Sequence, residues 1–378
     1  MFIMRGRIAT LAIVAAALPL VALSTPAAEA DGLRAPVSRP LATSVSAMAY
    51  VLSQVRDSVT PINTATRQPG KAIQLPEPPY SLVITPNGET GFVPTQVGVY
   101  PLNLTAGTVG NPIDFGGAGA ITITPNGNTV YAGSSAGVIP ISTATLSPGP
   151  AINVGGDPTA IAITPNGKTV YAVAGTNVIP IRTSTNTAGH PISIGAAPDA
   201  IGITPNGSTV YTVVYATPNS GPGFLTPIST TTNKPGKHIQ VAYESNSILF
   251  TPDSTKAYVG TNGSPFITPI NLTTNKPGKA IKIGNGATAI TLTPNGETLY
   301  AISGPIGIVT PVSTATNKPG KPINLGGDQS AIAITPNGAT CYVANYNTNT
   351  VTPIPTATNK PGKPITVDYD PFYIAMWP

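Results

Sequence analysis

The chain has 378 residues, a single cysteine, a formal net charge of +5 and only 9% charged residues. Because Cys341 has no second cysteine to pair with, an intrachain disulfide is excluded and stability must come from packing. A nucleic-acid surface is also excluded, because the lysines recur in one loop motif and form no dense basic stripe with stacking aromatics.

Residues 1–30 are predicted to be an export signal. Arg5 and Arg7 precede an apolar stretch, and Ala28-Glu29-Ala30 is a small-x-small cleavage site. No later stretch approaches the roughly 18–20 apolar residues that a membrane-spanning helix needs. We therefore expect a secreted, extracellular or cell-envelope protein, cleaved near Ala30 and without a membrane span.

The remainder divides into a flexible leader at residues 31–44 and one repeat domain at residues 45–378. Successive copies of a turn motif are 39 to 47 residues apart. Short segments rich in Val, Ile, Tyr and Thr fill each period, which is typical of four-stranded β-propeller blades. The motif is Thr-Pro-Asn-Gly at Thr85, Thr124, Thr164, Thr204, Thr293 and Thr335, with Thr-Pro-Asp-Ser at Thr251.

One period shows the predicted order of strands, which we call a to d from the axis outward. Strand a is expected at 160–163, b at 169–173, c at 178–181 and d at 191–194. Pro165-Asn166-Gly167 is expected to form the a–b hairpin, because Pro presets φ and Asn-Gly tolerates positive φ.

The two ends of the domain are predicted to complete one blade. Residues 50–75 align without a gap on residues 342–367 and supply strands b, c and d, whereas residues 372–376 align with strand a. Seven complete units and these fragments predict an all-β, single propeller of eight four-stranded blades. The C-terminal strand a would pair with the N-terminal strand b and close the ring, leaving no open edge. Seven blades are the alternative, and we expect a monomer.

Strand c contains a proline at the same place in every unit. Proline cannot donate to a strand ladder, so it belongs at edges or bulges. We therefore expect the pairing of strand c with one neighbour to be interrupted and strand d to be short or displaced. The prolines are Pro61, Pro101, Pro140, Pro180, Pro227, Pro269, Pro311 and Pro353.

Tyr342-Val343-Ala344-Asn345, with its flanks 331–338 and 351–360, resembles the YVTN-repeat propellers of bacterial extracytoplasmic and surface-layer proteins. The resemblance implies a propeller scaffold and no particular reaction. Members of that family commonly have seven blades, and prolines in strand c are not their hallmark.

Acidic residues recur just before strand a, where the d–a loops meet the axial channel. We interpret them as a ligand-binding collar at the channel mouth, with Ca²⁺ or a cationic group as the candidate ligand. The alternative is that they cap turns or accept backbone N–H bonds. No cofactor is otherwise expected. The residues are Asp157, Glu244, Asp328, Asp370, Glu77 and Asp199.

The motif Asn-Lys-Pro-Gly-Lys occupies four consecutive c–d connections on the opposite face or rim. Its lysines form an arc that would suit anionic cell-wall polymers. A solvated turn that keeps sheet edges from pairing is the alternative, and the composition favours it. The motif begins at Asn233, Asn275, Asn317 and Asn359.

Enzyme signatures are weak. His190 and His238 are expected in the outer part of their blades, where they form neither a triad nor an axial metal pair. Cys341 is expected to be a small buried residue, and Trp377 to pack at the closure. We favour a non-catalytic binding or structural scaffold whose channel-face loops engage a protein, a glycan, a cell-wall polymer or a small ligand. A metal-assisted, lactonase-like hydrolase or lyase using the acidic collar is the alternative.

Overall fold

The computed structural model describes residues 47–216, 222–262, 264–284 and 286–377. The predicted signal (1–30) and leader (31–44) lie outside these residues. The described chain forms eight antiparallel sheets, so the propeller has the eight blades that the sequence predicted and not the alternative seven. Two 3-10 turns, Gly304–Ile306 and Tyr346–Thr348, are the helical segments of this part of the chain. None of its helices has the length and apolar character required to cross a membrane.

We number the blades 1 to 8 by the chain order of their b strands. From blade 1 to blade 8, strand b comprises Met48–Ser53, Thr90–Pro94, Thr129–Ser134, Thr169–Ala174, Thr209–Val214, Lys256–Thr261, Thr298–Ser303 and Thr340–Asn345. Strand c comprises Ser58–Asn63, Gly98–Asn103, Gly137–Ser142, Asn177–Arg182, Phe224–Ser229, Phe266–Asn271, Ile308–Ser313 and Thr350–Pro355.

Strand a is innermost, and the a strands of successive blades contact one another around the axis. From blade 2 to blade 8 it comprises Val83–Ile84, Ile121–Ile123, Pro158–Ile163, Ala200–Ile203, Ser245–Phe250, Ala289–Leu292 and Gln329–Ile334. Blade 1 takes its strand a from the other end of the chain, at Pro371–Trp377.

This last strand pairs antiparallel with the first strand b. Met48 lies opposite Trp377 and Val51 opposite Ile374, and the register shifts once, between Leu52 and Ser53. Blade 1 is therefore built from both ends of the described chain, as the alignment of the ends predicted.

The outer strand is broken in two in most blades. Five blades have two outer segments each: Gln68–Pro69 and Ile73–Gln74 in blade 1, Thr108–Val109 and Ile113–Asp114 in blade 2, Thr187–Ala188 and Ile192–Ser193 in blade 4, Lys276–Pro277 and Ile281–Lys282 in blade 6, and Lys318–Pro319 and Ile323–Asn324 in blade 7. Two blades have one segment each, Ile239–Gln240 in blade 5 and Ile365–Thr366 in blade 8. Blade 3 has isolated bridges in the same places, Val138–Ile152 and Ile141–Pro148.

The strand-c proline lies opposite this break. In blade 1, Pro61 pairs normally with Tyr50 of strand b, so the b–c ladder is continuous. On the other side Pro61 accepts a 2.7 Å hydrogen bond from Gly70 N–H. Because the N–H and C=O of one strand residue face the same neighbour, the missing proline N–H faces the outer strand. The predicted interruption is therefore confirmed, but in blade 4 strand d has a first segment, 187–188, that the sequence did not predict.

The Thr-Pro-Asn-Gly turns are held by the threonine side chain. Thr164 Oγ1 donates to Asn166 Oδ1 across 2.7 Å and accepts a 3.1 Å bond from Thr169 N–H. Positive φ falls on Gly167 alone, at +69°, and not on the asparagine. A Cβ on Gly167 would lie 3.1 Å from Pro125 Cδ, so the turns of neighbouring blades stack on one another.

At the seam of the ring, Trp377 takes the place of that stacked proline. Its indole covers Gly88 so closely that a Cβ would not fit, and its Nε1–H donates to Pro86 O across 3.3 Å. The expected packing of Trp377 at the closure is therefore confirmed, with the turn of blade 2 as its partner.

A buried tyrosine on strand b connects each of five blades to the next. Its hydroxyl donates to an asparagine Oδ1 in the following blade's c–d turn, where that asparagine adopts positive φ. Burial raises the pKa of Tyr171 to about 12, so this hydroxyl remains a donor at neutral pH. The pairs are Tyr131–Asn186, Tyr171–Asn233, Tyr211–Asn275, Tyr258–Asn317 and Tyr300–Asn359, at 2.5 to 2.8 Å.

The three remaining blade junctions differ from this pattern. Blade 2 carries Phe92 in place of the tyrosine, and the equivalent turn position of blade 3 is Leu146, also at positive φ. At the junction of blades 8 and 1, the hydroxyl of Tyr342 donates instead to the backbone oxygen of Thr64, at 3.2 Å. An apolar pair thus replaces the tyrosine–asparagine pair at the junction of blades 2 and 3, whereas the turn positions that correspond to Tyr342 and Tyr50 are Arg67 and Gly107, both at positive φ.

Candidate functional site

One end of the propeller, the channel face, is formed by the b–c and d–a loops. The a–b turns and c–d connections form the opposite end, the turn face, because antiparallel strands place alternate connections at opposite ends. Six of the seven large apolar side chains that are exposed in the described chain lie on the channel face. They are Val55, Tyr215, Tyr243, Ile306, Tyr346 and Tyr369, whereas Leu146 lies on the turn face.

These six side chains are confined to five consecutive blades. Blade 5 supplies Tyr215, blade 6 Tyr243, blade 7 Ile306 and blade 8 Tyr346, and the remaining two come from the loops of blade 1. Clustered exposed apolar groups on a soluble fold are typical of interaction sites. We call this sector, the channel-face loops of blades 5 to 8 and 1, the aromatic sector.

The loop before the last strand is the best-fixed part of the aromatic sector. Ser53 Oγ donates to the backbone oxygen of Tyr369, and Ser58 Oγ donates to Asp368 Oδ2 across 2.7 Å. The guanidinium of Arg56 lies 5.7 Å from the centre of the Tyr369 ring, within cation–π range. The ring nevertheless stays 48% exposed. It is therefore held in place while one surface remains open to a partner.

Three of the acidic collar residues form hydrogen bonds with residues of neighbouring loops, two through the carboxylate and one through the backbone N–H. Asp199 Oδ2 accepts from Tyr215 N–H across 2.7 Å. Partial desolvation raises the pKa of Asp199 above its ordinary value, although this hydrogen bond lowers it. Glu77 Oε2 accepts from Gln96 Nε2 at 3.3 Å. The backbone N–H of Asp370 donates to Asn349 Oδ1 at 3.0 Å.

The other three collar residues differ in exposure and position. Asp157 is fully at the surface, whereas Glu244 and Asp328 are half-buried. Glu244 takes positive φ and bonds through its backbone to Ala216 and Asn262. Some collar residues therefore make the turn contacts that the alternative interpretation expected, as Asp199 does with the Tyr215 N–H, whereas the Glu77 carboxylate contacts the side chain of Gln96.

The collar carboxylates do not gather around one point. Among the described residues, no three His, Cys, Asp or Glu side chains are grouped as metal ligands would be. The two histidines are exposed in their outer strands, and His238 Nδ1 lies 2.8 Å from Thr226 Oγ1. Cys341 is fully buried, and burial raises the pKa of its thiol.

A cleft of about 260 Å³ opens in the aromatic sector between blades 6, 7 and 8. Asn262, Gly286, Thr288, Pro305 and Asp328 line it. Gly304, which precedes the lining residue Pro305, is closely surrounded: a Cβ there would lie 3.0 Å from both Asp328 Oδ1 and Thr288 Oγ1 and nearer still to the backbone oxygen of Gln329. One carboxylate, one amide and one hydroxyl therefore face the same small space.

Three buried side-chain amide oxygens in blades 6 and 8 have no hydrogen-bond partner among the described residues, and one of them belongs to Gln329, next in the chain to the cleft residue Asp328. Gln329 is only 1% exposed, and its Oε1 has no hydrogen-bond partner among the described residues, although its Nε2 donates to Gly326 O. The buried Oδ1 atoms of Asn246 and Asn345 also have no hydrogen-bond partner among the described residues. Because buried polar atoms are nearly always paired, these three are candidates to meet water or a ligand.

Sequence reasoning placed the collar but missed the aromatic sector. The signal was present, because Tyr215, Tyr243, Tyr346 and Tyr369 all occur in loops between predicted strands, where an aromatic residue has no core to fill. That their loops share one face and one half of the ring follows only from the blade order.

Comparison with known proteins supports the fold. No family model matches the chain, and no curated protein is similar to it in sequence at a significant level. Among solved structures, dihydro-heme d1 dehydrogenase NirN in complex with DHE matches with a TM-score of 0.74 at 12% identity, over 87% of this chain and 74% of that chain.

Two further structures are similar. Apo AztD from Citrobacter koseri has a TM-score of 0.65 at 10% identity, over 88% of this chain and 97% of that one. Hydrazine synthase from Kuenenia stuttgartiensis has a TM-score of 0.59 at 21% identity, over 74% and 96%. At these identities the likeness concerns fold alone. The chain is an eight-bladed β-propeller by its own sheet topology, and what it shares with these three structures is its fold.

Proposed function

We propose that this protein is a monomeric, extracytoplasmic binding scaffold that holds a protein, a glycan or a small ligand on the aromatic sector of its channel face, and that it catalyses no reaction. The observation that supports this most directly is that six of the seven large apolar side chains exposed in the described chain lie on one face, on five consecutive blades of the eight. Exposed tyrosines held by a rigid scaffold suit recognition, because they offer a large contact area and lose little side-chain freedom on binding.

The cleft between blades 6 and 8 is the polar part of the proposed site. Asp328, Asn262 and Thr288 would supply hydrogen bonds or charge to a ligand group, and Tyr243, Ile306 and Tyr346 of the same sector would supply apolar contact. Of the collar residues, we therefore assign ligand contact first to Asp328. The others, Asp157, Glu244, Asp370, Glu77 and Asp199, would set the negative charge of the face.

A metal-assisted hydrolase or lyase is the second candidate. It would need at least three collar oxygens within coordination reach, about 2.3–2.6 Å from one ion, and no observation on the described residues favours it. A rise in melting temperature with Ca²⁺ that disappears in Asp328→Asn would favour this candidate over the scaffold.

The test is a thermal-shift screen of the purified protein against glycans, peptides and divalent cations, because a ligand that binds only the folded state raises its melting temperature. The double variant Tyr243→Ser, Tyr369→Ser removes two exposed rings of the sector. Leu146→Ser is the matched control, because Leu146 is as exposed as Tyr243, at 41%, but lies on the turn face. A hit that is lost in the double variant and kept in the control supports the proposal. A hit that survives the double variant unchanged contradicts it.

Two further proposals concern origin and export. We propose kinship with the YVTN-repeat propellers, supported by Tyr342-Val343-Ala344-Asn345 and by the recurring turn motif. We also propose that the protein is exported and cleaved after Ala30, supported by the predicted signal. N-terminal sequencing of the protein recovered from outside the cytoplasm should begin at Asp31, and an intact Met1 start there would contradict cleavage.

A further inference from the structure

Charge is divided between the two ends of the propeller. The channel face carries most of the acidic residues of the described chain and two cationic ones, Arg56 and Lys282. On the turn side, the described acidic residues are Glu89, Asp253 and Glu297, all in a–b turns. The c–d connections contain cationic side chains without any acidic residue.

The cations of the c–d connections follow one arc. Each of blades 5, 6, 7, 8 and 1 has two of them, the first at or just after the turn and the second beside the break in the outer strand, and all are exposed. We call this set the lysine rim. It consists of Lys234, Lys237, Lys276, Lys279, Lys318, Lys321, Lys360, Lys363, Arg67 and Lys71.

Protection of sheet edges does not account for the rim. Blades 2, 3 and 4 have the same c–d connection with the same break or bridges, yet the positions of the first lysine are Thr108, Ser147 and Thr187. If lysines were needed to keep these edges from pairing, the three blades would need them as well. Blade 1 has Gln68 at this position but keeps two cations, Arg67 and Lys71. The cations are therefore concentrated on five of the eight blades for another reason.

The backbone under the rim is held firmly. In blade 5, Asn233 is bonded through Oδ1 to Tyr171 and through N–H to Ser229 O at 2.8 Å. Two residues after Lys234, the Gly236 N–H donates to Pro227 O across 2.7 Å, so hydrogen bonds fix the backbone both before and after this lysine. The lysine stems thus start from fixed points, and only side-chain freedom would be lost on binding.

The composition of the rim indicates a polymer as partner. Protein interfaces are usually built around aromatic and aliphatic anchors, but the one exposed large apolar residue on the turn side of the described chain, Leu146, belongs to blade 3, outside the rim. A flexible chain with regularly repeated charge can follow a curved row of cations without such anchors. Arginine favours bidentate pairing with either carboxylate or phosphate, whereas lysine acts as a point charge and is a common phosphate binder. A rim of nine lysines and one arginine therefore suits the single negative charge that each phosphodiester unit carries.

We propose that the lysine rim binds a linear polymer of phosphodiester-linked units. This interaction uses the end of the propeller opposite the aromatic sector, so it is independent of the function proposed for that sector. A polymer bound along the rim would leave the channel face directed away from it and open to its own ligand.

The test measures binding of the full chain to immobilised polyglycerol phosphate at low ionic strength, with neutral dextran as the background. The variant K276Q/K279Q/K318Q/K321Q removes the four lysines of rim blades 6 and 7. Because four cationic contacts with the polymer are lost together, affinity should fall about tenfold. The four side chains are exposed, although Lys276 and Lys318 belong to the short outer-strand segments, so an unchanged melting temperature is required to verify that the variant is folded.

A second variant separates position from net charge. Adding E77Q/D114N/D157N/D199N to the four lysine changes restores the wild-type net charge by neutralising the channel face instead. Binding should stay weak in this variant, and raising the salt concentration should release the wild-type protein from the polymer. The proposal would be overturned if the wild-type protein failed to bind or if the four-lysine variant bound fully. It would also be overturned if binding recovered in the charge-restored variant, or if the wild-type protein bound the carboxylate polymer polygalacturonate equally tightly.

Discussion

The hydroxyl of Tyr171 in blade 4 donates a 2.8 Å hydrogen bond to Oδ1 of Asn233 in the turn of blade 5. The tyrosine is buried, with its side chain 1% exposed, whereas the asparagine lies at positive φ at the surface. The same pairing recurs at four further blade junctions. It connects a core position to a turn that would otherwise be attached only through its own blade.

We expect the Tyr171–Asn233 pair to contribute about 0.5–1.5 kcal/mol of coupling energy to the free energy of unfolding. The measurement is a double-mutant cycle of Tyr171→Phe, Asn233→Gly and the double variant in denaturant unfolding. Glycine is chosen because it accepts the positive φ of Asn233, so the cycle reports the hydrogen bond and not backbone strain. Strict additivity of the two single changes would contradict the pairing.

The Phe92–Leu146 junction gives the reverse experiment. Phe92→Tyr alone would place a hydroxyl at a fully buried position, opposite a leucine turn, and should lower the free energy of unfolding by about 1–3 kcal/mol. Adding Leu146→Asn supplies the acceptor found in the neighbouring blades and should recover most of that loss. A double variant no more stable than Phe92→Tyr would show that the junction of blades 2 and 3 differs in geometry.

Gly236→Ala should destabilise the protein by roughly 1–2 kcal/mol. A Cβ at Gly236 would lie 3.1 Å from Pro227 Cγ, against the ring that breaks the outer strand. Gly156→Ala is the matched control, because its Cβ would meet only Ala174 Cβ, at 3.9 Å. Denaturant midpoints of the two variants provide the comparison, and equal midpoints would mean that the outer strand yields easily around the proline.

Asp199 should make stability depend on pH. Its pKa is raised in the folded state, so its stabilising contribution is complete below its unfolded pKa, about 3.9, and is lost as the pH rises through the folded pKa. Asp199→Asn keeps an oxygen to accept the Tyr215 N–H bond but carries no charge. It should therefore raise the melting temperature at pH 7, by a modest amount because the carboxyl is largely exposed, and change it less at pH 3. The exposed Asp157→Asn serves as a comparison, and a lowered melting temperature for Asp199→Asn at pH 7 would contradict the sign.

Much of the architecture followed from the sequence because a propeller is a repeat. The spacing of the Thr-Pro-Asn-Gly turns predicts blades, and the alignment of 50–75 on 342–367 predicts eight of them and a shared first blade. The strand-c proline predicts the interrupted outer strand, because the absence of an N–H is a property of the residue itself. These features are local or periodic, and a linear pattern records them.

The site was only partly predictable. The collar residues were found by position in the repeat, but their spacing around the axis, and the absence of a ligand-like grouping among the described carboxylates, depends on ring size and loop path. The asparagine of Asn-Lys-Pro-Gly-Lys was assigned only to a turn, because its partner tyrosine lies in the preceding blade, 59 to 64 residues away in the motif blades.

The sequence by itself determined the blade, its turns, its broken outer strand and the number of repeats, because each depends on the conformational limits of residues close together in the chain. The tertiary structure alone decided which loops share a face, and thereby placed exposed tyrosines and carboxylates at one end and the lysine rim at the other. That division arises because alternate connections of an antiparallel blade point in opposite directions, and closure of the ring gathers them from residues hundreds of positions apart.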